Sequence, residues 1–257
     1  MNETRNLIPS VPPYRREFLV TTISPASAPD EKVWRYMSFA RFAWLLQKKR
    51  LWLSRADLLG DPWEISLAGN QLEHVVSRHP ITPLSSGAIP ESAMKRSERI
   101  IRTWRQQTFV NCWSASSHES HALWRIYCRS AEGVAIQTTF ARLKASIGDL
   151  PLHRVLYETP GSARRTPTLA DLVTKKRPMF AYEQEVRIVR SNDDATSGQD
   201  VPGYGLEWNS EEHVEAIFVH PEADSSFFET VAATTLHYAP ALQNHVSWSA
   251  MKLPPPF

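Results

Sequence analysis

A chain of 257 residues with 42% hydrophobic and 22% charged residues holds the material for one large domain around a single core. Its formal net charge of +2 neither demands a polyanionic partner nor bars one. Two cysteines, Cys112 and Cys128, rule out a disulfide scaffold and suit a reducing compartment. No window approaches the roughly 20 apolar residues of a membrane span, and the opening "MNETRNLIPSVPP" lacks a signal-type apolar run. The expected setting is cytoplasmic, with no membrane partner.

Residues 1–30 carry five of the 19 prolines and read as an arm. A single domain is expected over 31–250, with a short tail at 251–257. "KVWRYMSF" (32–39) reads as a strand. "FARFAWLLQKK" places Phe39, Phe42, Ala43 and Leu46 on one stripe and predicts a helix. "LWLSRA" (51–56) predicts a second strand, and "DLLGDPWE" (57–64) a loop punctuated by Gly60 and Pro62. Residues 91–107 predict a helix bearing Arg96, Arg99, Arg102 and Arg105, and "FVNCWS" (109–114) a strand. Ser116 and Glu119 stand at capping-box spacing before a helix "ALWRIYC". "GVAIQTTF" (133–140), "LHRVLYE" (152–158), "YEQEVRIVR" (182–190) and "HVEAIFVH" (213–220) predict strands. "TLADLVTKK" and "DSSFFETVAATTL" predict helices. Strands and helices do not alternate regularly, so the expected class is α+β: a bent, mixed and largely antiparallel split sheet flanked by short helices.

Several chemistries lack their signatures. There is no Gly-x-Ser-x-Gly, no phosphate-binding glycine loop, and only nine glycines. Cys112, His118, His121 and Cys128 lack the paired spacing of a zinc site, so no metal is expected. The arginine ladder offers a nucleic-acid surface or a solvated helix face. Asp57, Asp61, Glu64, Glu183 and Glu185 could serve a metal-dependent nuclease. A non-catalytic partner-binding module, with Arg187 neutralising the two glutamates, is a third reading.

"YEQEVRIVR" sets Glu183 and Glu185 one residue apart, on one face if the strand begins there. Like charges so close raise each other's pKa. Together with Arg35 in the first strand and "WSASS" (113–117), they resemble the ordered Arg…Ser-x-Ser…Glu-x-Glu pattern of mono-ADP-ribosyltransferases. That resemblance implies NAD as substrate and a protein or nucleic-acid acceptor. It assigns Glu185 to the ribosyl cation, Glu183 to the acceptor and Ser114 to support of Glu185. Arg35 would grip phosphate or ribose. Tyr36, Trp113 and Tyr182 would stack on nicotinamide, with Ser116 and Asp61 also lining the cofactor site. Cleavage of the nicotinamide–ribose bond passes through an oxocarbenium-like cation, which calls for such carboxylates.

Residues 32–236 also resemble a bacterial family catalogued as a domain of unknown function, number twenty-nine seventy-one. "WRYMSF", "LLGDPWE", "NCWSASSHESHALWRIY", "GVAIQ", "VLY", Lys176 with "YEQEVR", and "VEAIFVHPEADSSFFETV" carry that likeness in order. Gly60 departs from it, standing where the family's box has Asn.

Overall fold

A computed structural model describes residues 28–66, 91–159, 169–191 and 201–252. Most of the expected arm, residues 253–257 and the side chain of Arg96 lie outside them. The fold is α+β. Among the described residues a nine-stranded mixed sheet runs in the order β11-β10-β4-β1-β3-β2-β9, with β8 on the free edge of β3 and β5 beyond it. Its strands are β1 (Lys32–Ser38), β2 (Arg50–Arg55), β3 (Thr108–Ala115), β4 (Gly133–Thr139), β5 (Leu152–Arg154), β8 (Glu185–Ser191), β9 (Gly203–Glu207), β10 (Ala216–Val219) and β11 (Val246–Trp248). A separate parallel ribbon joins β6 (Leu156–Tyr157) to β7 (Lys175–Lys176). The helices are α1 (Phe39–Lys48), α2 (Glu91–Gln107), α3 (His121–Leu123), α4 (Phe140–Ser146), α5 (Leu169–Val173), α6 (Ser210–His213) and α7 (Ser225–Tyr238).

The sheet splits at β3. This strand pairs with β8 from Thr108↔Ser191 to Ser114↔Glu185. On its other edge β1 holds only Val33↔Ala115 and Trp34↔Ser114, while β2 holds Ser54↔Val110 and Arg55↔Phe109. β1 therefore leaves β3 at Arg35, although its pairing with β4 continues to Ser38. Side chains alternate across the sheet. One face is the main core: Val33, Met37, Trp113, Val186 and Ile188 pack there with Phe42, Leu46 and Trp208. At roughly 1.5–3 kcal/mol for each large apolar side chain fully buried, this layer carries most of the hydrophobic stabilisation.

The opposite face holds two smaller apolar clusters. Trp34, Tyr36, Leu123 and Trp124 form one; Ala56, Ile65, Val110, Leu172 and Val189 belong to the other. Register places Cys112, Arg187, Ser114 and Glu185 on the strip between them. Polar groups there are shielded from water on two sides by the fold itself.

Four local expectations need correction. "LHRVLYE" is not one strand: β5 adds to the main sheet, then the chain turns at Val155 and β6 joins β7. Lys175 and Lys176 form that short strand rather than the end of a helix. The helix after "WSASS" is capped by Ser120, which accepts from Leu123 N, whereas Ser116 bonds within its own loop. Tyr182 and Glu183 belong to a helical turn over Pro178–Glu183, so β8 begins only at Glu185. Strands β9 and β11 carried no recognisable sequence signal. Gly203 in β9 lies so close to Trp52 that an added Cβ would stand 2.3 Å from its ring, which explains a glycine inside a strand.

Candidate active site

Glu183 and Glu185 do not meet by strand alternation. Gln184 between them adopts a left-handed conformation, φ 44°, and turns the chain from the helical turn into β8. Both carboxylates then converge on Lys176 from β7: its Nζ lies 2.5 Å from Glu183 Oε2 and 3.3 Å from Glu185 Oε1. Arg187, fully buried two residues along β8, donates from Nε to Glu185 Oε2 at 2.7 Å and from Nη1 to Val173 O at 2.8 Å. A third carboxylate, Glu64, comes from the loop after β2. It stands 3.4 Å from Lys176 Nζ and 2.6 Å from Arg187 Nη2, at ion-pair distance without hydrogen-bond alignment. Tyr127 donates to Glu183 Oε1 at 3.3 Å, and Glu185 N donates to the Tyr157 hydroxyl at 2.7 Å.

All five charged side chains are buried, three acids against two bases. Acids crowded together out of water favour the protonated form of the one with least cation support. Burial first, and then the neighbouring Glu185, push the Glu183 carboxyl up to about 7. Burial opposes ionisation of Glu185 as well, but Arg187 and then Lys176 overrule it and hold that carboxyl below its usual range. The pair is thus a raised carboxyl beside a carboxylate held down, both on Lys176. Cys112, opposite Arg187 in the sheet, is raised to about 12 by burial and by Glu185, so it is no thiolate nucleophile.

The same strip carries Ser114, directly across from Glu185 on β3. Arg35 sits where β1 leaves β3, and its Nη1 donates to Cys112 O at 3.0 Å. Burial lowers its guanidinium to about 10, which leaves it cationic at neutral pH. Arg35, Ser114, Tyr127, Glu183 and Glu185 line one cavity of 40 Å³. A polar cleft of 290 Å³ adjoins it at Ser114, walled by Ser116, His118, His121, Tyr182 and Gln184. The Tyr182 ring is exposed there.

Other expected site residues have different surroundings. Trp113 borders the cavity but alternates onto the core face, where its ring packs 6.1 Å from Trp208 and its Nε1 donates to Asn111. Tyr36 is buried edge-on against Trp124 at 5.0 Å, and its hydroxyl accepts from Ser120 N, so it lines the cavity as a wall. Asp61 is taken up by Arg177, at 2.9 and 3.2 Å, and by Trp63 N at 3.0 Å. It caps a turn and braces Arg177 rather than facing the cleft. Arg187 does neutralise Glu185, together with Glu64. Among the described residues no three His, Cys, Asp or Glu side chains are placed to hold a metal ion, and no helix is long and apolar enough to cross a membrane. In the sequence Lys176 stands out only through the resemblance, Tyr127 only within "ALWRIYC" and "NCWSASSHESHALWRIY", and Glu64 only as an acid of the 57–64 segment. No local pattern could show that they meet.

No family model matches this chain, and no curated protein does. Among solved structures, DarT of Thermus sp. 2.9 in complex with ADP-ribosylated single-stranded DNA aligns over 90% of this chain and 98% of its own, at TM-score 0.41 and 12% identity. At that score the likeness fixes neither activity nor site.

Proposed function

We propose that this protein cleaves NAD and transfers the ADP-ribosyl group to a macromolecular acceptor, protein or nucleic acid, or to water. The observation that carries this reading is the gathering of Arg35, Ser114, Glu183 and Glu185 around one cavity at the split of the sheet. NAD lies in the 290 Å³ cleft with its nicotinamide ribose turned past Ser114 toward the carboxylates. Arg35 binds phosphate or ribose as a fixed cation. Tyr182, the exposed ring of the cleft, stacks on nicotinamide.

The nicotinamide–C1′ bond breaks and its electron pair leaves with nicotinamide. Ionised Glu185, held by Arg187 and Lys176, stabilises the cation that develops on the ribose. Ser114, across the ladder from Glu185, fixes where that carboxylate meets the sugar. Glu183 in its ionised form takes the proton of the acceptor O–H or N–H as the new C1′ bond forms. A pKa near neutrality suits that exchange. Consumption of NAD by such a site would disable a cell, which fits a toxin or defence effector.

The test measures nicotinamide released from NAD by the pure protein, in chelator, with and without cell lysate as acceptor source. Release should fall by about 10²-fold or more in Glu185→Gln, the scale seen when one transition-state electrostatic contact is lost. Absence of release from the wild-type protein with every lysate would overturn the reading.

A further inference from the structure

We infer that Glu64 is a positioning residue of this site: by sharing both cations of Glu185, it makes the cluster retain one proton and places that proton on Glu183. The inference rests on the NAD-cleaving reading only for its catalytic consequence. Glu64 reaches Arg187 Nη2 at 2.6 Å and Lys176 Nζ at 3.4 Å, and both are also partners of Glu185. Among the described residues Glu183 is ion-paired with Lys176 alone and accepts from the Tyr127 hydroxyl. Glu183, with the thinner cation support, is the carboxyl raised by burial and by Glu185, while Glu185 is held down by Arg187 and Lys176. Glu64 also divides the positive field, so Glu185 keeps more of its negative charge for a cation in the cleft.

The groups facing Glu183 come from several elements. They are Lys176 on β7, Glu185 with Arg187 behind it on β8, Tyr127 from the turn after α3, and Tyr182 from its own turn. Tyr157 on β6 lies near as well, and Cys112 on β3 and Arg35 on β1 line the same cavity. None supplies the third negative charge that Glu64 does. Removing that charge frees Lys176 and Arg187 for the two remaining acids, which favours ionisation of Glu183.

The experiment follows carboxyl carbons of ¹³C-glutamate-labelled, substrate-free protein through a pH titration. In Glu64→Gln the Glu183 midpoint should fall by about one pH unit or more, with Glu64→Asp staying nearer wild type. The pH profile of nicotinamide release should shift to lower pH in parallel. An unchanged midpoint in folded Glu64→Gln would overturn the inference. Should that variant not fold, Lys176→Gln carries the test: loss of a cation must raise the midpoint, and a constant value refutes the shared-cation scheme. Because the titration needs no NAD, its outcome is independent of whether NAD is cleaved.

Discussion

At the scale of single residues, one proton on Glu183 governs two properties with opposite signs. The folded state binds that proton up to about pH 7, whereas an ordinary glutamate releases it near 4.5. Between those limits the folded chain holds more protons than the unfolded one. The stabilisation is therefore complete below the lower limit and is lost as pH rises through the upper. Acceptor deprotonation needs the ionised form, so turnover should climb with pH and level off above about 7. Glu183→Gln should abolish that rising limb and flatten the stability curve in the same window. Parallel pH series of nicotinamide release and denaturant midpoint would check both. Persistence of the limb in the variant would assign it to another group.

At the scale of elements, two glycines separate packing from chemistry. Gly133 opens β4, and a Cβ there would stand 2.5 Å from both Cβ and Sγ of Cys128. Gly133→Ala should therefore destabilise by about 1–3 kcal/mol through overpacking against the turn that carries Tyr127. Gly60 precedes Asp61, and a Cβ there meets nothing within 4 Å. Gly60→Asn should leave stability within the small range of neutral surface substitutions, about ±0.5 kcal/mol. Thermal unfolding of the two variants beside wild type decides both. The helical turn over Pro178–Glu183 illustrates the same division: it exposes Met179 and Tyr182, buries Glu183 and hands over to β8 through left-handed Gln184.

At the scale of the whole molecule, the buried ion cluster ties together segments distant in sequence: the loop at Glu64, β7 at Lys176 and β8 at Arg187. Such clusters are costly to desolvate and costly to break. Arg187→Met would leave Glu64 and Glu185 with Lys176 as shared cation, and should cost about 3–5 kcal/mol. Chemical denaturation would measure it, and a loss under about 1 kcal/mol would show that the cluster relaxes or hydrates. Because Glu183 and Glu185 belong to the cluster and also line the cavity, part of the fold's stability is held at the proposed site.

The primary structure by itself determined the α+β class, the stripe of α1, the span of α2, and strands β1 to β4 and β10, because periodicity and turn residues are local signals. It also named Arg35, Ser114, Glu183 and Glu185, since residue type and chain order are legible without coordinates. Tertiary structure decided the rest. Trp113 reads as a free aromatic beside "SASS", and only register shows it alternating into the core. Asp61 reads as an available acid, and only the fold brings Arg177 across 116 positions to occupy it. Glu64 and Lys176 gain their meaning when the loop after β2 and strand β7 deliver them to one buried point. Long-range pairing carries no mark on the residues it joins, so the charge balance of the site, and with it the seat of the proton, exists only in the folded chain.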